Sequence, residues 1–407
     1  MREPLAALGT SVFAEMTALA QRTGAINLGQ GFPDTDGPEV LLRVAAEAMR
    51  SGHNQYPPLN GVAPLREAIA EQRLADYGTG YDPDAEVVVT AGATEGVTAA
   101  ICALAGPGDE VLYFDPGYDS YPPAIALAGA TPRTVPLRPV DGRFTFDPAD
   151  LAAAIGPRTR VIVVNTPHNP TGTVFTRAEL DHIAWACLRH GLVAITDEVY
   201  EHLTYDGVAH VPLASRPGMS ERTLVVSSAG KAFNATGWKV GWVCGPEHLV
   251  RAVRTVKQYL TFASGTPFQH AVAAALRERD DWLATLTARL TTARDLMVDA
   301  LTGSGWRCYA CEGTYFLQAD AVELGYPDGT ELCLDLAYRG GVVAIPSAAL
   351  HADPRDGAEL VRIAFCKAPE VVETAAQRLV SFTTVPRLRG KGARPCPEPR
   401  THLPRSA

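Results

Sequence analysis

The sequence predicts an α/β fold, a mostly parallel sheet followed by a smaller α+β domain, on three observations. Short continuous runs of β-branched residues alternate with helical stretches between about residues 40 and 290. The runs lack polar alternation, as expected of strands covered on both faces. Beyond about residue 290 the rhythm changes: one long helical stretch leads into shorter strand-like runs.

Taken in order, residues 87–91 (VVVTA) form the first strand, followed by Gly92 and a helix-like stretch from Thr94. Residues 111–114 (VLYF) form the second. Residues 161–165 (VIVVN) form the third and end at a turn-rich segment, 166–173. Thr176 and Glu179 have capping-box spacing, and Leu180, Ile183, Ala184 and Cys187 share one helical face before Gly191 stops the helix. Strands at 192–196, 224–228 and 240–244 follow. A long helix is expected over 280–301, then strand-like runs at 314–318 and 360–365. The first 35 or so residues carry no partner strands of their own and are expected to pack on the smaller domain. No internal repeat is present.

Composition narrows the function. With 46% hydrophobic and 20% charged residues over 407 positions, the chain is an ordinary globular one. Its net charge of −9 divides unevenly. Residues 385–407 hold six Lys/Arg and one Glu, a charge of +5, which leaves −9 − 5 = −14 on the rest. An acidic body is a poor partner for nucleic acid, and the Pro-rich basic tail reads as a disordered extension. No run approaches the ~18 apolar residues of a membrane span, and the first residues do not read as a secretory signal. The eight cysteines are scattered, which favours reduced thiols, and Cys308 and Cys311 form a CxxC pair with no second pair or His pair at zinc spacing. The expectation is a cytoplasmic protein without metal.

Ligands of open α/β sheets lie beyond the carboxyl ends of the strands, so the polar residues just past each run carry the chemistry. Asp197 follows one strand, where a carboxylate can pair with a ring nitrogen, and Tyr200 lies three residues on. Lys231 follows another in Ala229-Gly230-Lys231; burial there would lower its pKa and make it nucleophilic toward an aldehyde. Ser228 adds a hydroxyl and Lys239 a second cation. Gly92, Ala93 and Thr94 open a helix whose N–H groups suit a phosphate. Asn169 lies in the turn after 161–165, and Tyr118 follows 111–114 as an aromatic that can stack. Singly, each has an ordinary structural explanation: a capping Asp, a surface Lys, an Asn-Pro turn, a packed Tyr. Together they fit pyridoxal 5'-phosphate.

In its ordered motifs the chain resembles the fold-type I pyridoxal-phosphate aminotransferases of class I/II, over roughly residues 10–378. Those motifs are Asn169-Pro170-Thr171-Gly172, Asp197-Glu198-Val199-Tyr200 and Ser227-Ser228-Ala229-Gly230-Lys231. Residues 27–34 (NLGQGFPD) and 235–242 (ATGWKVGW) resemble the kynurenine and methionine aminotransferase branch. That branch also holds cysteine-S-conjugate β-lyases and actinobacterial N-succinyldiaminopimelate aminotransferases. The resemblance implies a seven-stranded sheet in a large cofactor domain, 41–290, a small domain, 291–384, and an N-terminal segment, 1–40, packed on the latter.

It also implies roles. Lys231 is the Schiff-base lysine and proton shuttle, and Asp197 the partner of the pyridine nitrogen. Tyr200 and Asn169 bind the ring hydroxyl, and Tyr118 stacks. Ala93, Thr94, Ser228 and Lys239 cradle the phosphate. Tyr56 is lent to a neighbouring subunit's phosphate, which makes a homodimer with shared active sites. Arg362 clamps the substrate carboxylate, with Asn169, Gly31 and Phe13 lining the substrate. Substrates are then an L-amino acid and a 2-oxo acid. Thr94 stands where kynurenine aminotransferases carry an aromatic, and residues 265–267 (GTP) lack their substrate-facing His; both point away from kynurenine and leave an acyl or aliphatic side chain open. A C–S β-lyase using the same residues is the alternative. A pyridoxal-phosphate-sensing regulator is a third reading, but about ten residues before the resemblance are too few for a DNA-binding domain.

Overall fold

The computed structural model describes residues 11–384; the expected basic tail, 385–407, lies outside them. Seven strands make the central sheet: β1 (Val87–Thr90), β2 (Glu110–Asp115), β3 (Thr131–Pro136), β4 (Thr159–Asn165), β5 (Val193–Asp197), β6 (Thr223–Ser228) and β7 (Gly241–Cys244). Their spatial order is β1-β7-β6-β5-β4-β2-β3. All neighbours pair in parallel except β7, which runs antiparallel to both β1 and β6.

Both faces are covered, and successive side chains alternate between them. Val88, Val111, Val163, Ile195, Val226 and Val243 pack with the helices Gly92–Leu104, Tyr121–Ala128 and Glu247–Lys257. On the opposite face Val87, Val89, Val225 and Trp242 meet the helices Glu39–Arg50, Ala63–Tyr77 and Thr266–Arg277. Leu112, Phe114, Ile162 and Val164 meet the helix Arg177–His190. That helix carries the expected capping box, with Thr176 and Glu179 bonding reciprocally and Gly191 closing it in the left-handed region.

A second sheet is antiparallel: β8 (Arg307–Cys308), β9 (Phe316–Asp320), β10 (Ile345–Pro346) and β11 (Leu360–Ala364), in the order β8-β9-β11-β10. Its Leu317, Val361 and Ile363 share a core with Leu286, Leu290 and Met297 of the long helix Asp280–Thr302, and with Met16 and Leu19 of the N-terminal helix Val12–Thr23. One expectation is corrected here. The N-terminal segment does carry a strand: Ile26–Asn27 pairs in parallel with Val342–Val343. Two residues are too short a run to show in a pattern. Likewise the helix expected from Thr94 opens at Gly92. Cys308 and Cys311 are free thiols; Cys311 Sγ donates to Gly313 O at 3.3 Å.

Candidate active site

The carboxyl ends of β1, β2, β4, β5 and β6 open onto one cleft of about 380 Å³. Because β7 runs the opposite way, the residue that enters it, Lys239, lies at the same edge. The small sheet closes the cleft from the other side with Phe316 and Arg362.

At the cleft floor lies Asp197, at the end of β5. Tyr121 donates its hydroxyl to Asp197 Oδ2 at 2.7 Å, and Asn165 Nδ2 donates to the Asp197 carbonyl at 2.8 Å. Asp197 Oδ1 is buried with no partner. Burial pushes this carboxyl up to about 6, against the hydrogen bond from Tyr121 and the charge of Lys231. Lys231, in the short helix Ala229–Ala232 after β6, donates Nζ to Gly31 O at 3.1 Å. Burial lowers its ammonium to about 8, and the charge of Arg362 adds to the effect. Its Nζ lies 5.7 Å from the ring centre of Tyr200 and 5.6 Å from that of Tyr315.

One end of the cleft gathers a helix N-terminus, a hydroxyl and an ammonium. The helix Gly92–Leu104 opens there with Gly92, Ala93 and Thr94, and Ser228, the last residue of β6, and Lys239, two residues before β7, line the same end. Gly92 is required: its φ is +78°, and a Cβ would lie 3.1 Å from Lys239 Nζ. Tyr118 lines the same end, beside Tyr121 in an edge-to-face contact at 5.7 Å.

Arg362, on β11, marks the other end. Its Nη1 donates to Asn169 Oδ1 at 3.0 Å and its Nη2 to Gly29 O at 2.8 Å, while Nε is buried with no partner. The guanidinium lies 4.1 Å from the Phe316 ring centre and 4.9 Å from that of Phe13. Burial lowers it to about 10, so it stays charged at neutral pH. Gly31 permits the approach of the small sheet, since a Cβ there would come within 2.4 Å of Phe316.

Every residue expected in the site lines this cleft except Tyr56. Tyr56 is 81% exposed and touches Phe262 edge-to-face at 5.3 Å. Sequence reasoning passed over Tyr121, Asn165, Gln30, Asp119 and Phe316, which also line it. Asn165 ends a strand, the position that pointed to the others, and was readable by the same rule. Tyr121 and Phe316 look like core aromatics in sequence.

The chain matches the family "Aminotransferase class I and II" over residues 23–379. It belongs to that family. A relative from Mycobacterium tuberculosis, "Probable N-succinyldiaminopimelate aminotransferase DapC", is 51% identical over 91% of this chain and 95% of its own length. The methionine aminotransferase of Escherichia coli is 43% identical over 91% and 96%. Among solved structures, the N-succinyldiaminopimelate aminotransferase of Mycobacterium tuberculosis superposes with a TM-score of 0.91 at 50% identity, covering 94% of this chain and all of that one. The protein is therefore an aminotransferase of fold type I, an enzyme that transfers amino groups. The lyase and regulator readings are not favoured, since these relatives are named for transamination.

Proposed function

We propose that this aminotransferase binds pyridoxal 5'-phosphate in the cleft, with Lys231 as its covalent anchor, and moves the amino group of an L-amino acid to a 2-oxo acid. The observation that carries the reading is the unpartnered Asp197 Oδ1, a buried carboxylate oxygen opposite a buried lysine with a lowered pKa. An orphaned buried acceptor is costly unless a donor arrives, and a protonated pyridine nitrogen is such a donor. The donor set fits the group. The N–H groups of residues 92–94, Ser228 and Lys239 suit a phosphate, Tyr118 a ring face, and Tyr200 and Asn169 a ring hydroxyl. When bound, pyridoxal phosphate supplies an aldehyde for the amino group and a ring that takes up the electrons released at the α-carbon.

The chain's own residues supply the rest. Asp197, held by Tyr121, keeps the ring nitrogen protonated. Arg362 presents its remaining N–H groups to the substrate carboxylate, its other face fixed by Asn169 and Gly29, so the amino acid is oriented before reaction. Lys231 Nζ, buried and partly neutral near pH 8, is the base that would take the α-proton and deliver it to the carbon that the cofactor's aldehyde supplies. Phe13, Gly31 and Phe316 wall the substrate side and exclude water. Exposed Tyr56 serves the phosphate of a second copy, which makes the working unit a homodimer, in the cytoplasm. Residues 41–290 form the cofactor unit and 291–384 the smaller one, with 1–40 packed on it. The shared core of Met16 and Leu19 with Met297, Leu317 and Val361 supports that last assignment.

The test is Lys231→Ala. The variant is expected to lose the visible absorbance of protein-bound cofactor and all measurable turnover with any donor in a panel of amino acids and 2-oxo acids. Wild-type steady-state turnover by Lys231→Ala would refute the assignment.

A further inference from the structure

Behind the cleft lies a buried charge cluster that the chemistry above does not use. Arg73, on the helix Ala63–Tyr77, is fully buried. Its Nη1 donates to Glu198 Oε2 at 2.9 Å and to Glu201 Oε2 at 2.8 Å. Glu198 follows Asp197, and Glu201 follows Tyr200. The two residues that face the cleft are thus each tied, one position along the chain, to a single guanidinium nitrogen on the far side.

The ties continue into the sheet. Ser227 Oγ donates to Glu201 Oε1 at 2.7 Å, and Ser227 adjoins Ser228 of the phosphate end. Glu198 N donates to Val226 O at 2.8 Å, and Glu198 Oε2 meets His210 Nε2 at 3.0 Å. The guanidinium lies 4.4 Å from the Tyr77 ring centre. Burial alone would raise the carboxyl of Glu198, yet Arg73 and His210 hold it down at about 2. Both glutamates therefore stay ionised and paired, because an uncompensated charge at this depth would be strongly destabilising. A surface ion pair would not fix a turn; a fully desolvated, multiply bonded one does.

We propose that Arg73, Glu198 and Glu201 are positioning residues for the reaction, a clamp that sets the orientation of Asp197 and Tyr200 toward the cofactor ring. The inference rests on the reading of the cleft as a pyridoxal-phosphate site. Glu201→Ala cuts the Tyr200 side of the clamp and leaves Arg73 paired with Glu198, so charge stays balanced. In the holoenzyme this variant is expected to bind pyridoxal phosphate about tenfold more weakly and to lose kcat about tenfold, the order seen when outer-shell partners of metal ligands are removed. KM for the amino donor should change little. The visible circular dichroism of the bound cofactor, which reports ring orientation, should fall, and Glu201→Gln should restore most of it. Ser227→Ala frees the same carboxylate with no change of charge and should act in the same direction, more weakly. If the variants melt at lower temperature but keep wild-type cofactor affinity, dichroism and kcat, the cluster is structural only and the proposal is overturned. If the wild type itself shows no bound-cofactor dichroism, the reading of the cleft fails instead.

Discussion

Tyr121→Phe removes one hydroxyl and tests the electrostatics of the site. In the cofactor-free protein Asp197 titrates at about 6, against 3.8 for an ordinary aspartate. The native state therefore holds this proton more tightly than the unfolded chain does. Stability is full below pH 3.8 and declines as the pH rises to about 6, by about 3 kcal/mol at 1.36 kcal/mol per unit. The hydroxyl of Tyr121, 2.7 Å from Oδ2, opposes that rise. A hydrogen bond to a charged group contributes about 1.5–3 kcal/mol and one to the neutral acid about 1 kcal/mol, so its loss should lift the Asp197 carboxyl by a further unit or so, about 1–2 kcal/mol of difference. The window of declining stability then extends to about pH 7. Urea unfolding of the apoprotein at a series of pH values reads this directly. Tyr121→Phe should be less stable than wild type by about 1 kcal/mol at pH 5, where the bond is to a neutral acid, and by about 2–3 kcal/mol at pH 8. A gap that is the same at both pH values would show that Tyr121 does not stabilise the ionised carboxylate.

Three further outcomes are expected. Lys231→Met should stabilise the apoprotein below pH 8 by up to about 3 kcal/mol, since a lysine lowered from 10.5 to about 8 costs stability that returns only as the pH rises through that window; an offset unchanged between pH 7 and pH 10.5 would contradict a buried ammonium. Arg362→Lys should raise KM for the amino acid about 10–100-fold with a smaller loss in kcat, because an ammonium cannot make the fork to a carboxylate, and an unchanged KM would remove Arg362 from the substrate site. Gly92→Ala places a methyl 3.1 Å from Lys239 Nζ at a positive φ and should weaken pyridoxal-phosphate binding about tenfold, from ~1–2 kcal/mol of backbone strain; equilibrium dialysis showing wild-type affinity would count against the phosphate end.

Six of the seven central strands were readable because their faces are both buried. Val87–Thr90, Thr159–Asn165 and Thr223–Ser228 are nearly continuous apolar runs for that reason. The seventh, Thr131–Pro136, was not readable: it is an edge strand, its first three positions are exposed, and it holds two prolines. The site followed a similar rule. Asp197, Lys231, Asn169 and Thr94 were visible because each is polar just past a strand. Phe316 was not, because nothing in an apolar strand residue says that it faces an arginine. Arg73 was the least legible of all. A single arginine on a helix looks solvated, and only tertiary packing against Glu198 and Glu201 removes it from water.

The reversed strand β7 has a consequence for how the enzyme is made. It seats the first strand of the sheet beside the last, so Gly92 and Lys239, 239 − 92 = 147 positions apart, become neighbours. That end of the cleft is thus the longest-range closure in the sheet, and closing so long a loop costs the most chain entropy of any pairing within it. The helix that opens at Gly92 and the Lys239 ammonium therefore meet only in a chain whose first and last sheet strands are both in place.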